Sequence, residues 1–307
     1  MRFHVVLNRE GGTLRRRDPE ALAASLSQVL EAAGHTVAVF AVKGEEVEAA
    51  LDAAAGEADI VLVGGGDGTV SAAAARLAGS DKALAVLPAG TMNLFARSLG
   101  IPLDLDAAVA AFASGRIRAV DVAEADGRIF VHQFSVGLHT KLIRLRERSR
   151  FDSRYGKMLA SLRAGLAAFL RPPRLAAALV VDGREFVVRA SGISVTCNLL
   201  GEGRRLPYAA RPDGGVLGVY VTRARRRRDL ARFALGALLG RWRRNREVDV
   251  YPACEVELRL VAHHRRFGCA MDGELADLAT VTRLRIRPGA LKVLVPAEEE
   301  DDEQPSG

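Results

Sequence analysis

The chain has 307 residues, 49% of them hydrophobic, which is enough to bury the core of one large domain or two medium ones and argues against a disordered or fibrous protein. The formal net charge is +7, but six consecutive acids, Glu298 to Glu303, sit in a polar terminal stretch; without them 44 basic residues face 31 acidic ones, or +13. A body this basic favours an anionic partner such as nucleic acid, nucleotide phosphates or an anionic membrane, and residues 297–307 are expected to form a disordered acidic tail.

Three cysteines, Cys197, Cys254 and Cys269, match no metal-binding spacing and fit a reducing cytosol better than a disulfide framework. The start MRFHVVLNRE lacks the apolar core of a signal peptide. No apolar run reaches the ~18 residues needed to cross a bilayer. The expectation is a cytoplasmic protein, at most peripheral to a membrane.

Up to about residue 120, short apolar runs at 3–7, 36–42, 60–64 and 84–87 alternate with alanine-rich stretches. One stretch begins at Asp18-Pro19, an N-cap and first-turn pair, and stops at Gly34. Others cover about 45–55, 70–78 and 105–113. Strands alternating with helices predict βαβ units and a parallel sheet with both faces buried. Beyond Asp121, strand-like runs dominate: 128–134, 175–181, 185–190, 192–199, 216–222, 254–261, 281–287 and 291–295. Asp182-Gly183 between two of them reads as a tight hairpin turn. Helical stretches interrupt at about 138–149, 155–170 and 229–240. The second part is therefore expected to be mainly antiparallel β.

Two turns carry chemistry. Val61-Leu62-Val63 leads into Gly64-Gly65-Gly66-Asp67-Gly68-Thr69 and an alanine-rich helix. Strand, glycine turn and helix start form an anion site, because glycine lets backbone approach phosphate and the helix offers free N–H groups. No Gly-Lys-Ser/Thr follows, so the turn is not a Walker loop, and Thr69 stands where a dinucleotide fingerprint has its last glycine. Asp67 is the informative residue: among phosphate-binding glycines a carboxylate repels the ligand unless it handles a metal or a proton. After the next strand, Pro88-Ala89-Gly90-Thr91-Met92-Asn93 repeats the design. On adjacent parallel strands both turns would face the crevice where open α/β sheets bind ligands.

These two runs, with Asp272-Gly273-Glu274 near the end, resemble the diacylglycerol kinase catalytic domain family, which includes bacterial lipid kinases and sphingosine kinases. The resemblance covers about 1–296. It implies a phosphofructokinase-like parallel α/β nucleotide domain (1–122), an antiparallel β-sandwich lipid-binding domain (123–296) and an active site between them. The implied reaction is ATP-dependent, magnesium-assisted transfer of a γ-phosphoryl group to a lipid hydroxyl, diacylglycerol or a sphingoid or ceramide-like lipid, in phospholipid metabolism. Asn8 resembles the family's early Asn-Pro, with Arg9 replacing the proline. Gly65, Gly66, Gly68 and Thr69, with Gly90, Thr91 and Asn93, would hold the phosphates. Asp67 would lie near magnesium or the reacting hydroxyl, Asp121 would reach magnesium through water, and Asp213 resembles part of a structural metal loop. Leu94 replaces an aspartate common in the family, and Gly218 replaces another, which weakens the metal network and discounts the Asp213 site. Two carboxylates compete as the base: Asp272, assigned so in bacterial members and preferred here, and Asp67, assigned so in sphingosine kinases. Glu274 would then bind metal or nucleotide. Read without the resemblance, Asp272-Gly273 is an ordinary hairpin turn.

Arg223 to Arg228 and Arg241 to Arg246 flank an apolar helix with Trp242 beside it. The pattern fits an interfacial helix on anionic lipid and equally a packed helix with solvated charged ends. Lys157 to Arg174 has a weaker form of the same character. His263-His264 lacks ligand partners and, like His132 and His139, is given no role. Nucleic acid is not an expected partner. Two rival readings are an NAD kinase-like enzyme, whose downstream Asn-Glu pair this chain lacks, and a non-catalytic anionic-lipid-binding protein, which has no use for Asp67, Asp272 and Glu274.

Overall fold

The computed structural model describes residues 1–148, 173–224, 226–261 and 268–297. The helix expected at 155–170, most of the Lys157 to Arg174 segment, Arg225, His263-His264 and the acidic tail lie outside the described residues. The chain divides into two compact units, one of residues 1–69 and 81–118 with the chain from Lys292 onward, the other of residues 70–80 and 119–291.

The first unit alternates strand and helix. Its elements are β1 (Arg2–Asn8), α1 (Pro19–Ala32), β2 (Thr36–Val42), α2 (Val47–Glu57), β3 (Ile60–Gly64), the start of α3 (Asp67–Leu77), β4 (Ala83–Leu87), α4 (Leu94–Ser98) and α5 (Leu105–Ala113). The strands are parallel in the order β2-β1-β3-β4, with Val5 opposite Val39 and Leu62, and Leu62 opposite Ala85. Every residue of β3 and β4 is buried, which is why both read as unbroken apolar runs rather than alternating ones. Helix α1 starts where Asp18 accepts a hydrogen bond from Glu20 N, with Pro19 in the first turn, and buries the stripe Leu22, Leu26, Leu30. Parallel strands end at one common edge, so the turns after β1, β3 and β4 gather there.

The second unit is a β-sandwich. In chain order it holds β5 (Arg116–Ala125), β6 (Arg128–Phe130), β7 (Gln133–Gly137), α6 (Leu138–Arg148), β8 (Leu175–Val181), β9 (Arg184–Ala190) and β10 (Gly192–Cys197). There follow β11 (Leu217–Thr222), α7 (Arg227–Leu238), β12 (Val248–Ala253), β13 (Glu255–Leu260), β14 (Cys269–Met271), β15 (Glu274–Ala276) and β16 (Val281–Val295). One sheet runs β12-β11-β10-β7-β14-β15; opposite it β16, β13, β8 and β9 lie side by side, with β5 on β16 and β6 on β5. Phe134, Val136, Ile193 and Val195 of the first sheet and Leu175, Leu179, Val256 and Leu258 of the second share one buried core. The last part of β16 belongs to the first unit, where Lys292 and Val293 run parallel to Ala83 and Leu84.

The Asp182-Gly183 hairpin forms as expected, with φ of 45° and 81° and Val181 paired to Arg184. Three expectations are corrected. The run 128–134 is two strands, because the N–H groups of Val131, His132 and Gln133 turn to the Asp272 carboxylate instead of a ladder partner. The runs 281–287 and 291–295 are one strand: Gly289, at φ 61°, carries the chain through Pro288 without breaking it. Strand 192–199 stops at Cys197 because Asn198 adopts φ 66°. The strands β5 and β12 had no strong sequence signal.

Candidate active site

Three glycine turns meet at the common edge of the parallel sheet. A Cβ on Gly12, where φ is +45°, would overlap the Ala89 carbonyl oxygen at 1.9 Å. On Gly11 it would lie 3.4 Å from Gly65 Cα, and on Gly90 3.0 Å from Gly66 Cα. The turns after β1, β3 and β4 therefore pack backbone on backbone, and side chains are excluded by their neighbours. Gly66 differs: nothing lies within 4 Å of its Cβ position. Packing does not require glycine there, and the backbone is open to a ligand.

Polar side chains lock these turns. Asn8 Nδ2 donates to Thr69 Oγ1 at 3.4 Å, and Asn8 Oδ1 accepts from Glu10 N. Asn93 adopts a left-handed conformation (φ 51°); its Oδ1 accepts from Gly90 N at 2.8 Å, and its Nδ2 donates to the Pro88 and Gly90 carbonyls. Both ends of that side chain are spent holding the turn. Thr91 is exposed, and Gly68 and Thr69 lie in the first turn of α3. Asp67 opens α3, where a negative charge complements the helix dipole. Its Oδ1 accepts from Leu94 N at 2.9 Å, at the start of α4, while Oδ2 receives no hydrogen bond from the described residues. Leu94 itself is buried.

In the second unit Asp272 is both a hairpin residue and a buried anion. It sits in the two-residue turn between β14 and β15 with φ 47°, followed by Gly273 at φ 90°. Its Oδ1 accepts from the backbone N–H of His132 and Gln133, each at 2.9 Å. Its Oδ2 accepts from Val131 N at 2.9 Å and from Ser71 Oγ at 2.5 Å. A carboxylate offers about four acceptor positions, and all four are filled. Glu274 is exposed at the start of β15.

The remaining expected residues have local partners. Asp121 is buried, with Oδ2 accepting from Gly215 N at 2.7 Å and Oδ1 from Gly289 N at 2.9 Å. Asp213 Oδ1 lies 3.6 Å from Arg211 Nε. A Cβ on Gly218 would meet Thr196 Oγ1 at 2.7 Å and the Tyr220 ring at 2.8 Å, so no aspartate fits there without displacing them. Among the described residues no three His, Cys, Asp or Glu side chains form a metal-binding group. His139 Nδ1 lies 2.8 Å from Ser135 Oγ, and His132 contributes its backbone N–H to Asp272. Arg223 pairs with Asp249, Arg228 with Asp229 and Arg232 with Glu247. No helix among the described residues is long and apolar enough to cross a membrane.

Two features escaped the sequence reading. Gly11-Gly12 comes three residues after the end of β1, a readable signal for a third close turn. Ser71 carried no signal, because its partner lies 201 residues away.

A parallel α/β unit edged by three glycine turns and a β-sandwich unit are the two parts of the chain, and known proteins share both. Residues 2–125 match the diacylglycerol kinase catalytic domain, and residues 134–295 match the YegS C-terminal NAD kinase beta sandwich-like domain. A relative from Pseudomonas aeruginosa, named "Probable lipid kinase YegS-like", is 32% identical over 82% of this chain and 80% of its own length. The diacylglycerol kinase of Bacillus subtilis is 36% identical over 39% of this chain, a match that spans 41% of that relative. The chain belongs to the diacylglycerol kinase catalytic domain family of lipid kinases. A solved diacylglycerol kinase from Bacillus anthracis shares the fold, with a TM-score of 0.68, 18% identity and 96% of both chains covered. Yeast NADH kinase is similar in fold alone, with a TM-score of 0.56 at 10% identity, over 99% of this chain and 85% of that one.

Proposed function

We propose that this protein is an ATP-dependent lipid kinase that moves the γ-phosphoryl group of ATP to a lipid hydroxyl, with diacylglycerol and a sphingoid or ceramide-like lipid as the candidate acceptors. Residues 1–122 would bind the nucleotide and 123–296 the lipid, at the inner face of the membrane. The observation that carries the reading is the side-chain-free edge built by Gly11-Gly12, Gly65-Gly66 and Gly90, with one open backbone position at Gly66.

Phosphoryl transfer needs alignment of the reactants, neutralised phosphate charge and a destination for the hydroxyl proton. Backbone N–H groups at Gly65, Gly66, Gly68 and Thr69 supply donors at a helix start. Asn8, Thr69 and Asn93 keep the turns in shape. Thr91, exposed beside Gly90, offers a hydroxyl to the phosphates.

The sequence favours Asp272 as proton acceptor, but a proton can reach that carboxylate only if one of its four donors leaves. Among the described residues nothing hydrogen-bonds to Asp67 Oδ2, so the proton is assigned to Asp67, and Asp272 becomes a positioning residue that holds the hairpin bearing Glu274. Magnesium, when bound, would neutralise charge on the phosphates. Asp67 Oδ2 is the best fitted oxygen for it, because Asp121 already holds two backbone N–H groups. One oxygen serves one partner at a time, and the magnesium dependence of Asp67→Asn separates the two roles.

The test incubates purified protein with labelled ATP and magnesium. Separate vesicles contain diacylglycerol, monoacylglycerol, ceramide or a sphingoid base, and label is followed into the organic phase. Label in one lipid class, lost in Asp67→Asn, supports the reading and names the acceptor. Nucleotide binding with no labelled lipid refutes it.

A further inference from the structure

Helix α7 buries Leu230 near its start and turns the leucines of its C-terminal half outward. Leu230 is buried, while Leu235, Leu238 and Leu239 are 58%, 69% and 52% exposed. The outward residues Ala231, Ala234, Leu235 and Leu238 follow helical spacing and form one face. Isolated exposed leucines are unremarkable, but three adjoining ones mark an interaction surface.

This face is held in place by packing. Asn245 is buried, donates through Nδ2 to Phe233 O and accepts at Oδ1 from Glu247 N. A Cβ on Gly236 would meet that amide at 2.3 Å, so the segment after the helix lies directly on it. Trp242 Nε1 donates to Arg204 O at 2.7 Å, and Glu202 accepts from the backbone N–H of Arg243 and Arg244. The helix cannot roll its leucines inward without breaking these bonds.

Charge flanks the leucines along the sequence. Residues 223–247 contain ten arginines against Asp229 and Glu247. Arg227, Arg241, Arg244 and Arg246 have no carboxylate within salt-bridge distance among the described residues, whereas Arg223, Arg228 and Arg232 do. Leucines flanked in sequence by arginines, with a tryptophan whose indole N–H is already bonded, carry two signals at once: apolar surface to bury and cationic surface to neutralise.

We infer that α7 and the segment through Arg246 form the membrane-docking surface, inserting Leu235, Leu238 and Leu239 among the headgroups of an anionic bilayer while the arginines bind those headgroups. The choice of a bilayer over an acidic protein rests on the lipid-kinase reading. A polyanion such as nucleic acid would engage the arginines but has no use for the leucines.

Sedimentation with vesicles of phosphatidylcholine, alone or mixed with phosphatidylglycerol, tests the surface. Wild type should bind only the anionic vesicles, and weaken as salt shortens the screening length from about 10 Å at 0.1 M to about 3 Å at 1 M. Leu235→Asp with Leu238→Asp should lower partition by more than about tenfold. Arg241→Gln with Arg244→Gln should lower it by about fivefold per arginine. All these positions are exposed, so thermal melts should match wild type. Both double variants should still phosphorylate lipid dispersed in detergent.

Wild type that ignores anionic vesicles, or binding that the leucine variant leaves unchanged, would overturn the docking surface. So would a wild-type dimer in sedimentation velocity that the leucine variant converts to monomer. Loss of phosphorylation by wild type in detergent and in vesicles alike would instead strike the kinase reading, and docking would then be read from sedimentation alone.

Discussion

Ser71 Oγ donates to Asp272 Oδ2 at 2.5 Å, joining α3 to the hairpin between β14 and β15 across 201 residues of sequence. That bond fills the last acceptor position of a carboxylate already holding Val131, His132 and Gln133. It changes what Asp272 can do, because a saturated carboxylate organises backbone before it accepts protons.

Asp272→Asn should therefore destabilise the protein by about 2–4 kcal/mol, since an amide presents N–H groups to donors that need an oxygen. Asparagine tolerates the left-handed φ of 47° at this turn, so the loss reports on the carboxylate and not on backbone strain. Ser71→Ala should cost about 1 kcal/mol. Urea denaturation measures both, and an Asp272→Asn protein of wild-type stability would show that these bonds do not hold the hairpin.

Asp67→Asn should behave in the opposite way. The asparagine oxygen still accepts from Leu94 N, so stability should stay within about 1 kcal/mol of wild type. Phosphoryl transfer should fall by about 10²–10⁴ if the carboxylate takes the proton. Parallel melts and turnover assays read the two quantities separately.

Two glycine substitutions should divide stability from nucleotide binding. Gly66→Ala meets nothing within 4 Å, so the fold should be unaffected, yet a phosphate drawn against that backbone would meet the new methyl. Nucleotide affinity should drop by at least about tenfold, or about 1.4 kcal/mol, in calorimetry. Gly12→Ala, driven into the Ala89 carbonyl, should instead destabilise the protein by more than about 2 kcal/mol.

Tyr220 gives a pH dependence. Burial pushes its hydroxyl up from 10.0 to about 12, although Leu200 N donates to it and lowers it in part. With the folded value raised, the stabilisation is fully present below pH ~10 and is lost as pH rises through ~12, because the unfolded chain releases its proton first. The loss should be about 2–3 kcal/mol at most. Burial also pushes the Cys197 thiol up, with Asp121 and Asp272 adding to it, so that group weakens the fold in the same direction. Denaturation of wild type and Tyr220→Phe at about pH 9 and about pH 12 isolates the tyrosine share, which the variant should lack.

The sequence by itself determined the parallel sheet, because β3 and β4 are buried on both faces and so must be apolar throughout. It determined the Asp182-Gly183 hairpin, because the left-handed backbone there (φ 45° and 81°) admits few other residues, and it marked the glycine turns at Gly64 to Gly66 and Gly90 by their place after buried strands. It also carried the family, through the order of three motifs. Tertiary structure alone decided how Asp272 is engaged, since its four donors lie 139 to 201 residues away and backbone N–H groups have no sequence signature. It alone decided that Gly90 and Gly12 are closed by packing while Gly66 is open. On α7, hydrophobicity was readable, but which leucines face outward depended on Asn245 and Gly236 meeting across the helix. Local pattern encodes which residues avoid water; only the folded chain assigns each its partner.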